Sequence, residues 1–80
     1  MADTLRGIIV REAQPVDGPH SDGVNVVVRE GEREKWSVTA WNEAAGTVLS
    51  NCVNGDKVFI TGVLKDTDRN WFTANYVEME

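Results

Sequence analysis

The chain has 80 residues, 41% of them hydrophobic and 26% charged, the composition of one small globular domain rather than of a disordered segment. Eight basic residues against thirteen acidic ones leave a net charge of −5, which argues against a ligand held by bulk electrostatics alone. The longest apolar runs, Ile8-Ile9-Val10 and Val26-Val27-Val28, are far too short to cross a bilayer. No cationic, apolar leader opens the sequence, so an intracellular protein with no membrane partner is expected. One cysteine, Cys52, and one histidine, His20, cannot assemble a disulfide framework or the usual zinc ligand sets, and neither a metal nor another cofactor is expected.

Five stretches read as strands. The first spans Thr4 to Ala13, with Leu5, Ile8, Ile9 and Val10 as its apolar residues. Gln14 to Gly23 holds both prolines and two Asp-Gly pairs and reads as a long exposed loop containing His20. The second strand, Val24 to Arg29, is β-branched, with Val24, Val26 and Val28 on one face. Glu30-Gly31-Glu32 turns into a third strand, Arg33 to Asn42, in which Trp36, Val38 and Ala40 alternate with Ser37, Thr39 and Trp41.

A short amphipathic helix follows. Asn42 is a good N-cap, Glu43 complements the dipole in the first turn, and Ala45, Val48, Leu49 and Cys52 form one apolar stripe. Asn54-Gly55 supplies a left-handed stop. The fourth strand, Asp56 to Lys65, alternates Val58, Ile60, Gly62 and Leu64 against Phe59, Thr61 and Val63. Asp66 to Asn70 makes a polar loop, and Trp71 to Met79 is the fifth strand.

Five antiparallel strands of this length are stable when closed on themselves, because closure removes exposed edges and gives the inward side chains an interior to fill. A helix between the third and fourth strands plugs one end. The expected fold class is therefore all-β: a single five-stranded oligonucleotide/oligosaccharide-binding (OB) barrel over residues 1–80, whose binding face lies on strands two and three.

The residues themselves carry a likeness. Trp36-Ser37-Val38-Thr39-Ala40-Trp41-Asn42-Glu43-Ala44-Ala45, with Asn54-Gly55-Asp56-Lys57-Val58 and Ile60-Thr61-Gly62, resembles the OB domains of single-stranded DNA-binding proteins of the replication protein A type. The resemblance covers about Val24 to Glu80. It implies that Trp41, at the end of strand three, stacks on a base. It also implies a second stacking aromatic after Gly62-Val63-Leu64-Lys65 and a short loop, where Trp71 and Phe72 stand.

Single-strand recognition needs flat side chains and cations along the phosphate path, each stacked base contributing roughly 1–3 kcal/mol. Alternation puts Trp41 on the outside if Val38 and Ala40 face the interior, and puts Trp36 in the core or at the barrel mouth. Of the adjacent pair Trp71 and Phe72, one points outward: the family likeness selects Phe72, and position at a loop edge selects Trp71. Arg29, Arg33 and Lys35 flank the hairpin between strands two and three, while Lys65 and Arg69 flank the loop between strands four and five. Glu30, Glu32, Glu34, Asp66 and Asp68 interleave with them, so each cation taken singly reads as part of a solvated surface, but their collective placement on two rims bordering the barrel face points to phosphate neutralisation. Cys52 reads as a small buried hydrophobe.

The sequence offers no phosphate-cradling glycine loop, nucleophile–base pair or calcium-binding spacing, and no catalytic role is expected. The expected function is sequence-tolerant binding of single-stranded DNA, or RNA, at modest affinity per copy, reinforced through a homo-oligomer or other OB-domain subunits. The alternative is a protein-interaction subunit of a replication or repair assembly, with the same aromatics as interface anchors.

Overall fold

The computed structural model describes residues 3–18, 22–66 and 68–80. Pro19, His20 and Ser21 of the expected first loop, and Thr67 of the last, lie outside the described residues. The elements run β1 (Asp3–Val16), β2 (Gly23–Glu30), β3 (Glu34–Ala40), α1 (Glu43–Ser50), β4 (Lys57–Asp66) and β5 (Trp71–Met79). The strands close in the order β1-β2-β3-β5-β4, all neighbours antiparallel except β3 and β5, which are parallel. This is the OB barrel anticipated from the order of elements.

Closure depends on β1, whose two halves serve two neighbours. Asp3 to Ile8 pairs with β4, and Ile8 to Val16 pairs with β2. Register shifts between Ile9 and Arg11, and between Arg11 and Gln14, bend the strand from one partner to the other. Alternation then fills the interior: Leu5 and Ile9, Val26 and Val28, Val38 and Ala40, Val58 and Ile60, and Phe72, Ala74 and Val77 are all buried. Burying each large aliphatic side chain contributes about 1.5–3 kcal/mol.

Helix α1 packs against β1, β2, β3 and β5 and closes one end of the barrel. The Asn42 side chain accepts a hydrogen bond from the Ala45 amide at 2.7 Å, as its N-cap role requires. Ala45, Leu49 and Cys52 are buried under the helix and Val48 half-buried against them.

Most strand ends shift by a residue or two, β3 ending at Ala40 rather than Asn42, and two boundaries differ with a structural reason. The chain from Gln14 to Val16 is strand, not loop, because the bulged β1 carries Pro15 into register with Val24 and Val16 into register with Gly23. The helix stops at Ser50, with Asn51 as its C-cap. Gly55, at φ +97°, turns the chain into β4 instead of ending the helix.

Candidate functional site

The outer surface of β2, β3 and β5 carries a groove of about 490 Å³ lined by Val16, Asn25, Ser37, Thr39, Trp41, Lys65, Trp71, Phe72 and Thr73. Its floor follows from register. Asn25 faces Thr39 across β2–β3, and the parallel β3–β5 ladder puts Ser37 beside Trp71 and Thr39 beside Thr73. Small polar side chains therefore form a flat central strip, with an indole at each end.

Trp41 stands just beyond the last residue of β3 and is 39% exposed. Its six-membered ring lies against Gly23: a Cβ built there would stand 2.7 Å from Cε3 and 3.0 Å from Cζ3. The missing side chain lets the indole lie close to the backbone. Trp41 also lines a cleft with Asp22, Gly23, Glu43 and Thr47 beside α1.

Trp71 opens β5 and is 47% exposed, whereas Phe72 is 4% exposed and belongs to the core. Of the two rings offered for the outward position, register decides against Phe72: it pairs with Val38, an interior residue, so its ring closes the groove from beneath. Trp71 takes the outward position, with the Arg69 guanidinium 5.2 Å from its ring centroid. The loop before it is fixed by Asn70. At φ 53°, that residue donates from Nδ2 to the Lys35 carbonyl at 2.9 Å and to the Glu34 carboxylate at 3.0 Å. Its carbonyl accepts from the Ser37 amide at 2.8 Å. Trp71 is thus held beside the start of β3.

The cations separate into three groups. Lys65 lines the groove, and Arg69 borders it through Trp71 while lying 4.0 Å from Asp66. Arg33, in the β2–β3 turn, and Lys35, at the start of β3, are exposed beyond the groove lining. Arg29 does not border the groove. It pairs with Ile8 of β1 and lines a separate cleft with Arg6 and Lys57, because β1 crosses the end of β2 there. The idea of two cationic rims bordering one groove is corrected accordingly for Arg29.

Asn25 lines the groove and Arg11 is bonded to it, and neither was among the residues expected there. Arg11 Nη2 donates to Asn25 Oδ1, and Asn25 Nδ2 lies 2.9 Å from both Ser37 Oγ and Thr39 Oγ1 and 3.2 Å from the Val38 carbonyl. A guanidinium is thereby anchored to the polar strip. The available signal was Asn25, a lone polar residue among the valines of β2 on its outward parity. Trp36, half-buried, packs against the core and lines a different opening with Leu5 and Leu64, as expected for a barrel-mouth residue.

Among the described residues, no group of three or more potential ligands is arranged to hold a metal ion, and no helix is long and apolar enough to cross a membrane. No protein-family model and no curated protein matches the chain. Among solved structures, it is similar to a small single-stranded DNA-binding protein from Streptomyces coelicolor. The two share 14% identity and superpose with a TM-score of 0.68, over 100% of this chain and 92% of that one. At that identity the likeness is one of fold.

Proposed function

We propose that the chain is a non-enzymatic module that binds single-stranded nucleic acid, DNA in the first instance, with little regard to sequence. The observation that carries this reading is the pairing of two exposed indoles, Trp41 and Trp71, in one groove with Lys65. Exposed tryptophans are costly on a surface unless a partner covers them, and bases offer a flat apolar face to each. The Ser37, Thr39 and Thr73 strip between them suits a sugar–phosphate chain, offering hydroxyls without steric bulk. Lys65, Arg69 and Arg11 supply positive charge at its margins. The likeness to a single-stranded DNA-binding protein supports the same reading.

Because the net charge is −5, affinity of one copy is modest and stacking supplies much of it. Further copies or other OB domains would add to it through avidity. Titration of intrinsic fluorescence with oligothymidine tests the reading: saturable quenching, partly reversed by salt, is expected. Unchanged emission at high micromolar protein in low salt would instead direct the search to a protein partner for the aromatic groove.

A further inference from the structure

Three of the eight cations, Arg6, Arg29 and Lys57, line one cleft of about 320 Å³ that the tryptophan groove does not include. Lys57, Ile8 and Arg29 form a single row across β4, β1 and β2, since Ile8 is the register partner of both. The carboxylate lining this cleft is Glu80, whose Oε1 lies 2.7 Å from Arg6 Nε and whose backbone amide donates to the Lys57 carbonyl at 3.0 Å. Arg6 also lies over Phe59 with its guanidinium 5.0 Å from the ring centroid. The Arg29 Nε is buried and has no hydrogen-bond partner among the described residues.

The cleft and the groove are joined along β2. Asn25, Val27 and Arg29 share its outward parity, with Arg11 bonded to Asn25 and in register with Val27. The four-residue step from Asn25 to Arg29 is roughly 13 Å at strand spacing. A positive track therefore leaves the groove at Arg11 and ends in a cleft already holding a carboxylate from the same chain.

We infer that this cleft is a second, phosphate-binding segment of the interface, which extends the path of a single strand beyond the two tryptophans and which Glu80 partly occupies. The inference rests on the proposed function, and it makes a distinction by length. A strand of about six nucleotides is filled by the tryptophan groove, while one of about fifteen also reaches the cleft, both within the range of site sizes for OB modules. A phosphate arriving at the cleft competes with Glu80 for Arg6.

The experiment compares oligothymidines of these two lengths by fluorescence titration over a series of salt concentrations, with the native chain, Lys57→Gln and Glu80→Gln. For the long strand, Lys57→Gln is expected to weaken binding and to make the log–log salt slope shallower by about 0.7, the value for one lost single-strand phosphate contact. Glu80→Gln is expected to strengthen binding of the long strand. Neither changes binding of the short one. Effects of equal size on both lengths, or none on either, would overturn the inference while leaving the groove in place. Failure of both lengths to bind the native chain would overturn the proposed function and this extension with it.

Discussion

The indole of Trp41 lies on the backbone of Gly23, close enough that a methyl group there would come within 2.7 Å of Cε3 and 2.9 Å of the Ala40 carbonyl. Gly23→Ala therefore forces the ring outward or the start of β2 away from β3. Overpacking of this kind costs about 1–3 kcal/mol, and a displaced ring no longer presents the same face to a base. The expected result is a lower unfolding midpoint in denaturant with weakened oligothymidine binding.

Trp71 and Phe72 are neighbours in sequence with opposite consequences. Trp71→Ala removes an exposed ring and its contact with Arg69, so stability changes little while affinity falls by roughly 1–3 kcal/mol if one base stacks there. Phe72→Ala empties a buried site and costs about 3–5 kcal/mol of stability. Chemical denaturation and binding titration of both variants check the contrast.

Alternation told that one of these two rings points inward, but not which one. The deciding fact is the parallel pairing of β3 with β5, which sets Phe72 beside Val38, and no local pattern announces a partner more than thirty positions away. The strands themselves and the N-cap at Asn42 were legible because periodicity and capping are local. Arg29 was misplaced for the same reason that Phe72 was undecided: its surroundings come from Ile8 on β1 rather than from its own hairpin. Pro15 was read as a loop signal, and the bulges that admit it into β1 leave no mark in composition.

Asn25 connects Arg11 to Ser37 and Thr39. Asn25→Ala strands these three side chains and the Val38 carbonyl and is expected to cost about 1 kcal/mol in stability, with a separate loss of affinity as the guanidinium loses its anchor. Arg11→Gln is expected to make the salt slope shallower by about 0.7. In the double variant the affinity losses should not add, because both act through one guanidinium. Full additivity would show that Arg11 works without Asn25.

Burial, and secondarily the Asp56 carboxylate, push the Cys52 thiol pKa up. The folded state therefore holds its proton more tightly than the unfolded chain does. The resulting stability is fully present below the ordinary thiol value of about 8.5 and is lost as pH rises through the raised folded value. Cys52→Ala is expected to be less stable at neutral pH because it leaves a void, and to fall less steeply in alkaline solution. Denaturant unfolding between neutral pH and about pH 10 reads both, and parallel pH profiles would contradict the assignment.

By the proposed function, Trp41 and Trp71, and not Trp36, receive the bases. The chain has three tryptophans, so a nitrogen-15 correlation spectrum resolves one indole N–H signal for each. During titration with oligothymidine, the Trp41 and Trp71 signals are expected to shift progressively and saturate together while that of Trp36 stays in place. A moving Trp36 signal beside two stationary ones would contradict the claim.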